Sequence, residues 1–293
     1  MINTYIPYLA KKEKKYINNC LSSSFVSTAG PNVSKFENLF SKKFKFHHSV
    51  AVNSGTSSIH LALLSISVGL NDIIIVPSYT FAATVNAIRY TNANPWFFDC
   101  NKDLILDLNK LELSFKKNTK LKSGKLIEKF SGKIIKAIIP VLTMGKKINF
   151  SEFEKFADKY SLKIIYDSAA CHDPKIMDFK KNNKSIFCFS FNGNKTLTTG
   201  AGGIMATNSQ ILADKARLFS TVGKKRSNYD YEVVGYNYKM TNIQASLGLS
   251  QLENLDTILN KKKKIFSFYK SNLTNFNKYE IVYDNENVNW VFA

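Results

Sequence analysis

Arginine is nearly absent from this chain: Arg89, Arg217 and Arg226 are the only ones among 41 basic residues, set against 22 acidic ones. The net charge of +19 is therefore almost entirely lysine, spread along the whole length among many asparagines and isoleucines. A dispersed charge of this kind reads as a composition bias rather than a nucleic-acid footprint, which would cluster on one face with aromatics interleaved. Local runs such as Lys261 to Lys264 and Lys224 to Arg226 read as solvated surface. Cysteine is scarce too. Cys20, Cys100, Cys171 and Cys188 show no C-x-x-C spacing, and His47, His48, His60 and His172 complete no zinc pattern, so free thiols in a reducing cytoplasm are expected and a metal is not. No apolar run is long enough to span a bilayer, and the first residues, MINTYIPYLAKKEKKY, contain no apolar signal core. The expectation is a soluble cytoplasmic protein with no membrane and no nucleic-acid partner. Glycine is sparse, at 13 residues, and nowhere forms G-x-x-x-x-G-K-[ST]; Gly200-Ala201-Gly202-Gly203 lacks the spacing of a dinucleotide fingerprint.

What is present is ample apolar material, 44% over 293 residues, enough for one large α/β domain and part of another. Strand-like and helix-like segments alternate, the pattern of a mostly parallel sheet. Strands are predicted at Val50 to Val52, Asp72 to Val76, Pro95 to Phe98, Ile134 to Val141, Lys163 to Tyr166 and Ser185 to Phe191. Helices are predicted at Thr56 to Val68, Ala82 to Tyr90, Leu108 to Phe115, Phe150 to Tyr160 and, as one long element, Thr241 to Phe268. The lysine-rich remainder of Asn101 to Lys133 reads as loop, and Tyr279 to Phe292 as the beginning of a strand-rich region.

Four places on this framework carry chemistry. Lys195, in FSFNGNKTLTTGAGG, follows a strand that breaks at Asn192-Gly193-Asn194, so it lies where open α/β sheets bind ligands. A lysine amine there forms Schiff bases with carbonyl compounds, or is one more solvated loop lysine. Asn53-Ser54-Gly55-Thr56 turns from strand to helix, which makes it either an anion site at a helix N-terminus or an ordinary N-cap. Asp167 ends the apolar strand KIIY at the same sheet edge, either to hold a pyridine nitrogen protonated or to cap the following turn. Phe81, in PSYTF, follows a strand end and either lies flat against a planar cofactor or belongs to the core.

Together these segments resemble the DegT/DnrJ/EryC1/StrS family of sugar aminotransferases, pyridoxal phosphate enzymes of fold type I. The resemblance runs from STAGPNVSKFE through AVNSGTSSIHLAL, VPSYTFAATVNAI, IIYDSAACHD and FSFNGNKTLTTGAGG to GYNYKMTNIQASLGLSQLE. It implies a mostly parallel seven-stranded sheet sandwiched by helices. It also implies an N-terminal arm over residues 1–24, a large cofactor-binding domain over 25–250, and the start of an incomplete small domain over 251–293. By the same resemblance Lys195 is the Schiff-base lysine and proton carrier, Asp167 pairs with the pyridinium nitrogen, and Phe81 covers the ring. Gly55, Thr56 and Ser190 hold the phosphate, and Asn237 reaches the phosphate of the other subunit of a homodimer with shared sites.

The reaction so implied moves the amine of glutamate to a keto carbon, C4, of a nucleotide-linked 4-keto-6-deoxy sugar for surface glycan synthesis. FSFNGNK and TNIQA are most similar to the subgroup acting on UDP-linked acetamido sugars, as in legionaminic acid and bacillosamine pathways. Three positions depart from the family pattern: Ala170 stands where Gln, His or Glu is common, Ala201 where a glutamate is common, and Leu142 where a histidine is common. The chain stops at Val288-Asn289-Trp290-Val291-Phe292-Ala293, where relatives enter a strand of the small domain, so a C-terminal truncation is expected. The rival readings are a dehydratase of the same family, which the retained Lys195 disfavours, and a basic regulatory or nucleic-acid-binding fragment without catalysis.

Overall fold

The computed structural model describes residues 5–177, 182–225, 229–273, 288, 290 and 291. In chain order the elements are α1 (Lys11–Ser22), α2 (Asn32–Phe44), β1 (His48–Val52), α3 (Gly55–Ser65), β2 (Asp72–Pro77), α4 (Ala82–Tyr90), β3 (Asn94–Phe98), α5 (Leu108–Asn118), β4 (Thr119–Lys122) and β5 (Lys125–Glu128). They continue with β6 (Ile134–Ile138), α6 (Phe150–Lys159), β7 (Lys163–Asp167), β8 (Ser185–Ser190), β9 (Gly203–Thr207), α7 (Gln210–Ser220), α8 (Asn242–Glu253) and α9 (Leu255–Leu273).

Nine strands form one sheet, seven of them in the order β1-β9-β8-β7-β6-β2-β3, with β5 paired to β6 and β4 to β5. Neighbours from β8 to β3 pair in parallel, whereas β9 runs against β8 and β1, and the β4–β5 hairpin joins β6 antiparallel. The expected sheet flanked by helices forms, but with nine strands rather than seven. Its central strands are buried on both faces, β2, β8 and β9 throughout, and period-two alternation sorts their side chains into two layers. On β8, Phe187 and Phe189 join the core beneath α2, α5, α6 and α8, while Ile186 and Cys188 join the core beneath α3, α4 and α7. On β2 the same division separates Ile73 and Ile75 from Ile74 and Val76. The first layer is aromatic: Phe40 stacks on Phe44 at 4.2 Å and meets Phe189 edge-on at 5.0 Å.

Several expectations need correction. The stretch read as loop contains the hairpin β4–β5, closed by Ser123 and Gly124, both at positive φ (49° and 72°). That is the twist a two-residue hairpin turn requires, and only the lysine content of the strands disguised it. β6 ends at Ile138 rather than Val141, because Pro140 has no N–H to extend a ladder. The predicted helix Thr56 to Val68 stops at Ser65, and Ser67 turns back at φ 59°. The single helix predicted over Thr241 to Phe268 is two, divided at Asn254, whose side-chain amide donates to Glu13 on α1 (3.4 Å). β9 and α7 went unread. Most of Tyr279 to Phe292 lies outside the described residues. Residues 11–22 of the expected N-terminal arm are helix α1, anchored on α8 and the turn after it through Tyr16 to Glu253 (2.6 Å) and Gln251 to Glu13 (2.9 Å).

Candidate active site

The parallel strands β1, β2, β7 and β8 all end at one sheet edge, and the loops that leave them surround a pocket of about 270 Å³. Its walls include Gly55, Thr56, Phe81, Asp167, Ser190 and Lys195. Six of the seven residues picked from the sequence are therefore brought together. Asn237 is not among the lining residues: it is exposed, bridges Thr221, and accepts at its backbone carbonyl from the Asn53 amide (3.2 Å).

Lys195 stands on the loop between β8 and β9. The strand closes against Gly202 (Phe191 N–H to Gly202 carbonyl, 2.8 Å), the turn closes as Lys195 N–H donates to Asn192 (2.9 Å), and Tyr5 donates its hydroxyl to the Lys195 carbonyl (2.6 Å). The backbone is fixed at both faces while the side chain is free to project into the pocket. Burial lowers the Lys195 ammonium below its ordinary range, against the opposing charge of Asp167. A solvated loop lysine would show no such shift.

Asp167 is 5% exposed at the tip of β7. Its Oδ2 accepts from the Thr84 hydroxyl at 2.6 Å and its Oδ1 from Ala169 N–H at 3.1 Å. The Thr84 hydroxyl in turn lies 2.8 Å from that of Thr80, in the loop just before α4. Burial pushes the Asp167 carboxyl up, and the Thr84 hydrogen bond, the Ala169 N–H and the Lys195 charge pull it back. Such a carboxylate favours a cationic partner that shares its burial. The capping role weighed for Asp167 is real, in its bond to Ala169, and coexists with its place in the pocket.

At the opposite end Ser54 caps α3, its hydroxyl accepting from Ser57 N–H at 3.0 Å. The first-turn N–H groups of Gly55 and Thr56 have no helical acceptor and open toward the pocket, where the helix dipole is positive. A side chain at Gly55 has no room, since a Cβ there falls 2.6 Å from Ser190 Cβ. Phe81, 81% exposed at the mouth, is excluded from the core role weighed for it.

A second pocket of about 310 Å³ adjoins the first through Phe81, Asp167 and Lys195, and its further wall is largely apolar, with Val141, Leu142, Met144 and Ala170. Two of the three departures from the family pattern, Leu142 and Ala170, face this space. Ala201 lines the first pocket, and its carbonyl accepts from Thr199 (2.6 Å) and Gln244 (2.8 Å).

A pyridoxal phosphate fits these residues: an amine for its carbonyl, a buried carboxylate for its ring nitrogen, an exposed aromatic for its face, and a helix N-terminus for its phosphate. No group of histidine, cysteine or acidic residues among the described ones could hold a metal ion. All four cysteines are free, and no described helix is long and apolar enough to cross a membrane.

Reading the sequence missed Thr84, Tyr5 and Trp290. Thr84 had a signal, its place in the first turn of the helix that leaves the PSYTF segment; Tyr5 and Trp290 arrive from distant parts of the chain and had none.

Known proteins place this geometry. The model of the DegT/DnrJ/EryC1/StrS aminotransferase family matches residues 7–292. GDP-perosamine synthase of Escherichia coli O157:H7 is 36% identical over 275 residues, which is 93% of this chain and 71% of that protein. UDP-4-amino-4,6-dideoxy-N-acetyl-beta-L-altrosamine transaminase of Campylobacter jejuni is 30% identical over 248 residues, covering 83% of this chain and 62% of its own length. Among solved structures, a DegT/DnrJ/EryC1/StrS aminotransferase from Brucella abortus superimposes with a TM-score of 0.82 at 25% identity, over 95% of this chain and 73% of that one.

Proposed function

We propose a reaction and a division of labour for this chain, which belongs to the DegT/DnrJ/EryC1/StrS aminotransferase family, enzymes that depend on pyridoxal phosphate. The reaction is transfer of the amino group of glutamate to C4 of a nucleotide-linked 4-keto-6-deoxy sugar. The observation that carries this reading is the pairing, in one pocket, of a half-buried lysine and a buried carboxylate with opposed shifts beside an open helix N-terminus.

When bound, the cofactor supplies a carbonyl for amines and an electron sink. The residues of this chain divide the remaining work. Lys195 would hold the cofactor through its Nζ and, when free, would serve as the base that moves a proton. Asp167 would pair with the ring nitrogen, and Thr84 and Ala169 hold its two oxygens. Gly55 and Thr56 N–H groups with the Ser190 hydroxyl would hold the phosphate. Phe81, exposed at the mouth, would cover the ring. Asn237, exposed and outside its own pocket, serves a partner subunit's site, which makes a homodimer the working unit. Residues 25–250 form the cofactor-binding domain and 251–293 belong to the small domain. The second pocket suits a deoxy sugar, since its wall of Val141, Leu142, Met144 and Ala170 gains from a methyl group while Tyr79, Thr80 and Asp167 leave polar partners for the remaining ring groups.

The decisive assay is 2-oxoglutarate release from glutamate with UDP-, GDP- and dTDP-linked 4-keto-6-deoxy sugars in parallel. The reading expects turnover with a 4-keto sugar, and a UDP-linked acetamido sugar to exceed the others. Preference for GDP or dTDP moves the nucleotide while leaving the reaction intact. Turnover only with a 3-keto sugar overturns the C4 assignment.

A further inference from the structure

The division of labour above makes no use of Trp290, yet this residue is bound at four points. Its backbone N–H donates to the Met144 carbonyl at 2.7 Å, and its indole N–H donates to the Asn194 carbonyl at 2.6 Å. Its own carbonyl accepts from Lys262 Nζ on α9 at 2.7 Å. Its ring then lies under Lys195 Nζ, 3.7 Å from the centroid, and forms part of the wall of both pockets.

This contact answers a question the lysine poses. A partly buried ammonium needs compensation. Among the described residues no carboxylate or carbonyl accepts a hydrogen bond from Lys195 Nζ, and Asp167 acts on it only as a charge at longer range. The negative face of the indole is the group in immediate contact. An aromatic face differs from a carboxylate in a useful way. It attracts the cation without accepting its proton, and it loses its hold when the amine becomes neutral. For a lysine that bonds to a carbonyl compound, is released and must return, such a face is a resting place that does not trap it. The anchor to Asn194, the residue preceding Lys195, fixes the ring relative to that lysine's own loop.

We propose that Trp290 is a positioning residue for Lys195: its indole face receives the lysine whenever Nζ is not covalently engaged, and sets where the amine waits. The inference rests on the reading of Lys195 as the Schiff-base lysine.

The groups acting on Lys195 come from every side of the site. Asp167 on β7 favours its charge and burial disfavours it. His172 is held neutral by burial, its pKa lowered to about 3. Tyr5, whose pKa burial raises to about 12, hydrogen-bonds Lys195 at its backbone carbonyl and carries Lys262 Nζ over its ring at 5.1 Å. Lys262 is lowered by burial to about 8 and titrates in the range of interest, so it needs its own control.

The test follows the pH dependence of trinitrophenylation of Lys195 in cofactor-free protein, located by peptide mass spectrometry, for wild type, Trp290→Phe and Trp290→Leu. Leucine keeps the site apolar but removes the π face, so the midpoint for Lys195 should fall by about 0.5 to 1 pH unit, which at a pH below the midpoint is about a 3- to 10-fold gain in reactive amine. Phenylalanine, a weaker face without the N–H, should lie between. The same order should hold in a Lys262→Gln background. A Trp290→Leu midpoint equal to or above that of wild type overturns the proposal. Should Trp290→Leu not fold, Trp290→Phe against wild type decides, a smaller fall supporting the proposal and no fall overturning it. Each protein is also incubated with pyridoxal phosphate and reduced with borohydride. An adduct on Lys195 with unmoved midpoints defeats this inference alone, whereas absence of that adduct from wild type defeats the underlying function.

Discussion

Lysine serves two opposite ends in two regions of this molecule. At the sheet edge, Lys195 is partly buried, shifted by burial, laid on an indole face and faced by the buried Asp167. On the hairpin β4–β5, Lys120, Lys122 and Lys125 stand exposed, with Phe130 fully exposed beside them. One region has few charges, each with a place; in the other the strand lysines Lys120, Lys122 and Lys125 stand in solvent. The difference teaches that charge count says little here, and that burial near a complementary group is what turns a common side chain into a chemical one.

The comparison breaks most sharply at Asp167. Asp167→Asn keeps the size of the side chain and the bond from Thr84 but removes the charge that favours a protonated ring nitrogen. Transamination should fall on the order of a hundredfold or more, with cofactor occupancy much less affected. Steady-state kinetics beside cofactor titration checks it, and near-normal turnover removes Asp167 from this role.

A middle-sized effect belongs to a buried group behind the site. His172 donates through its Nε2–H to the Ser190 carbonyl (2.9 Å), while its Nδ1 has no hydrogen-bond partner, and burial lowers its pKa from 6.5 to about 3. Between those values the unfolded chain binds a proton that the folded one does not, so stability present above pH 6.5 is lost as the pH falls through that window. His60, lowered by burial to about 4, acts in the same direction. Asp167 and Glu154, raised by burial, act in the opposite one. His172→Leu should therefore reduce the drop in urea midpoint between pH 6.5 and 4.5 by about half, leaving the His60 share. An unchanged pH dependence would place the acid sensitivity elsewhere.

The smallest effect lies on the hairpin. Lys122→Ala and Phe130→Ser should change stability by no more than about 0.5 kcal/mol and leave turnover unchanged. A large loss of activity from either would erase the contrast between the two regions.

How much of this was legible in the sequence follows the range of the interactions involved. The sheet was readable because β2, β7 and β8 are nearly continuous apolar runs, and the residues closing them, Asp167 and Ser190, inherit their positions from the strands. Gly55 and Thr56 followed from the N-cap spelling of the turn before α3. The β4–β5 hairpin was hidden because its exposed positions are lysines, which carry no strand signal of their own. The side chain of Asn254, at the break, bonds to Glu13, more than two hundred residues away, and the place of Trp290 depends on Met144, Asn194 and Lys262 together. Local pattern has no access to such contacts.

The central claim is that one lysine among many is the chemical one. It is tested most directly by reducing the pyridoxal phosphate complex with borohydride and locating every phosphopyridoxyl group by peptide mass spectrometry. The account predicts a single stoichiometric adduct on Lys195, absent from Lys195→Ala. Adducts spread over exposed lysines such as Lys120 and Lys125, or a stoichiometric adduct on any other lysine, would contradict it.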